Sequence, residues 1–207
     1  MVDLVGRLHQ AHVFDRRVRV LAGRLAPLYP ERARVLDVGC GDGRIAHEIG
    51  RIRPDLSVQG IDVLLRPRTY IPVSRFDGSH LPFADGAFDA VSFVDVLHHT
   101  LDPNVLLAEA SRVARHAVII KDHCADGLLA HQTLRLMDWV GNARHGVALP
   151  YNYWTERQWR EAFARLAMTI EVWQERLGLY PWPASLLFDR RLHFVARLGR
   201  GAKGVPK

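Results

Sequence analysis

Two cysteines occur in 207 residues, Cys40 and Cys124, too few and too far apart for a disulfide framework. Such usage suits reduced thiols, and a cytoplasmic location is expected. No stretch of about 18 uninterrupted apolar residues exists, which excludes a membrane-spanning helix by length. Asp3, Arg7, His9 and His12 crowd the first turns, unlike the apolar centre of a signal peptide. His9 and His12 lie three apart, but no further donors follow at metal spacing, so no metal is expected. Internal repeats are absent, and nothing marks a second domain. One domain over residues 1–200 is therefore expected, with 1–30 as a helix or lid, 124–165 as a helical insertion beside the substrate and 201–207 as a flexible tail.

Acidic residues are outnumbered. Lys+Arg 28 against Asp+Glu 22 gives +6, a balance suited to RNA, an anionic lipid head or a phosphorylated substrate. Arginine-rich composition produces the same value without such a partner. Hydrophobic residues make up 48%, enough for a sizeable core.

What is present is concentrated in Val35-Leu36-Asp37-Val38-Gly39-Cys40-Gly41-Asp42-Gly43. It reads as a short apolar strand, a three-glycine turn and a helix starting near Arg44. Glycines let the backbone approach a ligand closely, and the unpaired N–H groups of the following helix favour an anionic end. A dinucleotide fingerprint needs its third glycine one place later, where Arg44 stands. A phosphate P-loop would need Lys-Ser or Lys-Thr after the turn, and neither follows.

Strands and helices then alternate. Phe14, Val18, Leu21 and Leu25 predict one apolar face of a helix over 3–26. A crossover helix leads to a strand, Ser57 to Ile61, that ends on Asp62, 19 residues beyond Gly43. A carboxylate there can accept hydrogen bonds from both hydroxyls of a ribose. A third, weaker strand ends at Arg75-Phe76-Asp77-Gly78, and a fourth runs from Ala90 to Val94. Leu101 to Arg115 is a predicted helix, Ala117 to Ile120 a buried parallel strand, and 127–140 another helix. Gly141 to Tyr153 is expected as a long loop, with His145 in it. Thr155-Glu156-Arg157-Gln158 is a capping box opening the next helix. Thr169 to Gln174 and His193 to Leu198 are the last strands. The apolar, proline-interrupted connection 177–188 either packs under the helices or binds a lipid or partner.

The motif D-x-G-x-G-x-G resembles that of the class I S-adenosylmethionine (SAM)-dependent methyltransferases. The run Asp77-Gly78-Ser79-His80-Leu81-Pro82-Phe83-Ala84-Asp85-Gly86-Ala87-Phe88-Asp89-Ala90-Val91-Ser92 resembles the methyltransferase type 11 group, which includes ubiquinone/menaquinone-type C-methyltransferases. The resemblance covers about residues 31–123 well. It implies an α/β fold, a Rossmann-like three-layer sandwich with a mostly parallel seven-stranded sheet, an antiparallel last strand and helices on both faces. It also implies SAM as cofactor, with S-adenosylhomocysteine as product.

Carried over residue by residue, Asp37 and the backbone of Gly39, Cys40, Gly41 and Gly43 would hold the methionine moiety. Asp62 and Val63 would lie at the ribose, Asp77 and Gly78 at the adenine edge, and Asp95 beside the methyl group. His98, His99 and His123 are the candidate bases, since imidazoles titrate near neutrality. Lys121, Asp122, Tyr151 and Tyr153 are candidate substrate residues. The family's Pro-Gly-Gly turn is replaced by Ala114-Arg115-His116, which should reshape a loop. Neither the Pro-Pro-aromatic motif of amino-group and base N-methyltransferases nor the Pro-Cys pair of cytosine C5 enzymes is present. A small-molecule acceptor is therefore expected, in a monomer or homodimer. An RNA methyltransferase and a non-catalytic SAM-binding module are the alternatives.

Overall fold

The computed structural model describes residues 2–142 and 150–200 of the chain. Seven strands form one sheet in the order β3-β2-β1-β4-β5-β7-β6. The parallel part comprises β1 (Arg34–Val38), β2 (Ser57–Asp62), β3 (Val73–Arg75), β4 (Phe88–Val94) and β5 (Ala114–His123). The last strand, β7 (His193–Arg200), is antiparallel and inserts between β5 and β6 (Met168–Glu175).

Alternation along the strands builds two cores from one sheet. On β5, Val118 and Ile120 join one cluster, while Ala117 and Ile119 join the other, as the two-residue period of a strand requires. The first cluster is covered by α3 (Pro103–Val113) and α5 (Glu156–Arg165) through Leu106, Leu107, Trp159 and Phe163. The second is covered by α1 (Val2–Leu25) and α2 (Arg44–Ile52) through Leu21, Leu25 and Ile49, with Leu177 and Leu179 added from the 177–188 connection. A satellite cluster of Ala130, Leu134, Tyr153 and Leu192 seats α4 (Ala130–Asn142).

Several local expectations hold, and some change. Thr155 and Gln158 form the capping box at the start of α5. Val18, Leu21 and Leu25 are buried as their spacing predicts, but Phe14 is 46% exposed, under the Arg44 guanidinium 5.3 Å from its ring. The turn expected at Ala114-Arg115-His116 does not exist, because α3 passes directly into β5 at Ala114. Arg115 fastens this extended start by donating to Asp89 at 2.9 Å and to the Gly86 carbonyl at 2.8 Å. α4 runs on to Asn142, so the expected loop starts later; His145 and the tail from 201 lie outside the described residues. In the 177–188 connection, Leu177 and Leu179 are core, whereas Trp182, Leu186 and Leu187 are exposed, and a short helix α6 (Ser185–Phe188) forms that no local signal announces. No helix among the described residues is long and apolar enough to cross a membrane.

Candidate active site

The strand order reverses between β1 and β4, and a crevice opens there at the carboxyl ends of the strands, as open α/β sheets predict. A cavity of about 600 Å³ occupies it, bordered by Gly39, Gly41, Asp62, Gly78, Asp95 and His99. A larger hollow of about 700 Å³ lies near Cys124, Glu156, Glu175 and Arg191 and contains none of the glycine-turn residues.

The glycines of the turn do different work. Gly41 has φ +60, and a Cβ built there meets nothing within 4 Å, so its backbone fronts open cavity. Gly43 has φ +77, and a Cβ there would sit 2.4 Å from the Ile71 side chain. Gly41 thus keeps room for a ligand, and Gly43 keeps room for the protein. Asp62 reaches the same space: its carboxylate accepts the Gly41 N–H at 2.7 Å and the Leu64 N–H at 2.8 Å. Each oxygen retains a lone pair for a further donor. An open glycine backbone beside a braced carboxylate fits an adenosine-bearing cofactor. Val63 also borders the cavity, as do Phe76 and Ser79.

Asp37, Cys40, Gly43 and Asp77 lie next to the cavity without bordering it. Asp37 pairs in register with Ser92 of β4, whose hydroxyl donates to it at 2.8 Å. Burial pushes the Asp37 carboxyl up to about 7 against the opposing pull of that hydrogen bond. Asp77 caps its own turn, accepting the N–H groups of Ser79 and His80, each at 2.7 Å, which lowers its pKa.

At the tip of β4, Asp95 takes φ +58 and is clasped by Arg17 from α1 and Lys121 from β5. Burial opposes its ionisation, but these two cations outweigh that and hold the carboxyl below the usual range. Lys121 is fully buried, which lowers its own pKa despite Asp95. Its neighbour Asp122 points the other way, as strand alternation demands, and accepts the Leu97 N–H at 2.9 Å. Asp122 also faces His98 Nδ1 at 2.6 Å.

His98 lies between two carboxylates, with Nε2 3.3 Å from Asp138 of α4. Burial disfavours its imidazolium, yet Asp122 and Asp138 prevail and raise its pKa to about 10. His123 is driven the opposite way, to about 4, by burial and then by His98 and Lys121. His99 is lowered by burial and by His98, and it alone of the three borders the cavity. Tyr153 donates its hydroxyl to Asp138, and the Arg135 guanidinium covers the Tyr151 ring at 4.7 Å.

The fold therefore gathers His98, His99, His123, Lys121, Asp122 and Tyr153 into one polar cluster, but among them only His99 opens on the cavity. Arg17, Asp138 and His193 belong to the same cluster and escaped sequence reasoning. Arg17 and Asp138 sit on amphipathic helices, where a charge reads as solvent-facing.

A model of a methyltransferase domain matches residues 9–170. An O-methyltransferase of Penicillium expansum is 31% identical over 134 residues, 55% of this chain and 48% of that protein. The 27-O-demethylrifamycin SV methyltransferase of Amycolatopsis mediterranei is 33% identical over 110 residues, 46% of this chain and 40% of that one. The chain thus spans about half the length, or less, of these curated relatives. The solved SAM-dependent methyltransferase of Mesorhizobium loti superposes with a TM-score of 0.63 at 19% identity, over 86% of this chain and 96% of that one, a likeness of fold. With the family match covering most of the chain and the glycine turn, Asp62 and sheet order all in place, the chain belongs to the methyltransferase domain family, in its class I SAM-dependent branch.

Proposed function

We propose that this chain transfers a methyl group from SAM to a small-molecule acceptor. One observation carries the reading: a single cavity is bordered both by Gly41 and Asp62 and by Asp95, His99 and Thr100. Cofactor and acceptor would meet within it.

Bound SAM supplies an electrophilic methyl on a sulfonium whose thioether leaves without protonation. The protein's task is then alignment, worth up to about 7–11 kcal/mol of the barrier. Gly39 and Gly41 present backbone to the methionine end, Asp62 accepts the ribose hydroxyls, and Val63 and Gly78 border the adenosine. Asp37, Cys40, Gly43 and Asp77 shape the turns behind them. Asp95, held by Arg17 and Lys121, borders the methyl group. His99 faces the acceptor, while His98, His123, Lys121, Asp122 and Tyr153 brace that wall and Tyr151 lies beyond it.

Among the described residues the cavity lining carries one Arg or Lys, Arg66, which supports a small acceptor over an RNA backbone that needs a basic track. The two curated relatives, an O-methyltransferase and a 27-O-demethylrifamycin SV methyltransferase, support an oxygen nucleophile. Calorimetric titration with SAM, followed by incubation with labelled SAM and a panel of hydroxylated metabolites, tests the reading. Stoichiometric binding with label moved to a small molecule is the expected result. Failure to bind SAM would remove it.

A further inference from the structure

We propose that His98, His99 and Asp138 form a binding site for one divalent transition-metal ion at the wall of the cavity. One donor atom from each lies within 4.8 Å of the other two. His98 and Asp138 are buried, at 1% and 6% exposure. His98 Nε2 and His99 Nδ1 are both buried with no hydrogen-bond partner among the described residues. Such orphaned nitrogens are rare in a folded interior and call for a reason. Nε2 stands 3.3 Å from Asp138 Oδ2 but off the line that a hydrogen bond needs.

The surroundings match what a metal ligand requires. Asp122 holds His98 Nδ1 at 2.6 Å, which turns the ring and leaves Nε2 toward Asp138, where an ion would take the place of the Nε2 proton between the two acids. Carboxylate–histidine pairs of this kind orient the ligands of metal sites, and Tyr153 fixes Asp138 in the same manner. The neighbouring set of His98, Asp122 and His123 is also compact, but its donors are spent on one another, with contacts of 2.6, 3.3 and 3.3 Å. Two imidazoles and one carboxylate suit zinc, manganese, iron(II) or cobalt(II), and three protein ligands leave positions open.

His99 borders the cavity, so those open positions face the acceptor end. The ion would take a hydroxyl oxygen of the acceptor, orient it and ease loss of its proton to water. The oxygen then bonds to the methyl carbon as the carbon–sulfur bond breaks, its electron pair staying on sulfur. This acceptor role rests on the function proposed above; the metal site does not.

The test is titration of the metal-free full chain with Co²⁺, read by its visible absorption bands. One saturable equivalent is expected, displaced by Zn²⁺. His99→Gln and Asp138→Asn should each remove the band while circular dichroism shows a folded chain, and Asp122→Asn should weaken binding about 10–100-fold. No saturable band in the unaltered chain, or a band unchanged in both folded ligand variants, would overturn the site. SAM binding is measured separately, so a chain that binds Co²⁺ but not SAM would sink the methyl-transfer reading and keep the metal site.

Discussion

Replacing Asp62 with alanine separates the two jobs assigned to its carboxylate. One job is internal: the side chain accepts the N–H groups of Gly41 at 2.7 Å and Leu64 at 2.8 Å, bracing the glycine turn. Leaving two part-buried N–H groups unpaired costs about 1–3 kcal/mol each. At about 2–4 °C per kcal/mol for a chain of this size, the melting temperature falls by at least several degrees. The second job is recognition. Hydrogen bonds to a charged group are worth about 1.5–3 kcal/mol, so SAM affinity should fall about 10- to 100-fold. Calorimetry well below the melting transition reads the affinity, and thermal scans without SAM read the bracing. Asp62→Asn keeps one acceptor and should fall between the two. A melting temperature lowered by Asp62→Ala with SAM affinity unchanged would refute the ribose assignment and leave Asp62 a turn residue.

Gly41 and Gly43 should respond differently to an added side chain. Gly43→Ala drives a Cβ to 2.4 Å from Ile71 at φ +77 and should destabilise the fold by about 1–3 kcal/mol in urea titrations. Gly41→Val meets open space but strains the backbone at φ +60, so it should cost about 1–3 kcal/mol while leaving the chain folded, and it should abolish SAM binding; retained binding would contradict the placement of the cofactor. Asp37 keeps its proton up to about 7 in the folded chain, against about 3.9 unfolded, so the native state loses stability as pH rises through that window. Asp37→Asn has no proton to lose and should gain on the parent between about pH 4 and 7, by a few kcal/mol, since each tenfold change in proton affinity is worth about 1.4 kcal/mol. A gap in urea stability between the two chains that stays constant across this range would count against the assignment. Trp159→Ala should cost about 3–5 kcal/mol, because Trp159 is 1% exposed and its Nε1 donates to the His123 carbonyl at 3.0 Å. A loss under about 1 kcal/mol would show that the site can repack.

The sequence by itself determined the elements that obey a local rule. The strand-turn-helix around Gly39–Gly43 is visible because each step is set by adjacent residues: an apolar run, glycines free of Cβ, then helix formers. Asp62 was legible because a crossover unit of fixed length returns the second strand beside the first. The capping box at Thr155 needs only four residues and forms as they dictate. The boundary at Ala114–His116 is not legible locally, because nothing in those residues announces that Arg115 will find Asp89 and Gly86 across the sheet.

The polar cluster was decided by tertiary structure alone. Lys121, Asp122 and His123 read as one polar rim, yet the alternation of β5 sends Lys121 toward Arg17 and Asp95 and Asp122 toward His98. Asp138 meets His98 only because α4 folds back over the carboxyl ends of the strands. Histidines side by side in sequence thereby acquire opposite characters. Asp122 and Asp138 raise the pKa of His98, while burial and His98 lower that of His99 beside the cavity, since proton affinity follows the charges and burial that distant segments bring.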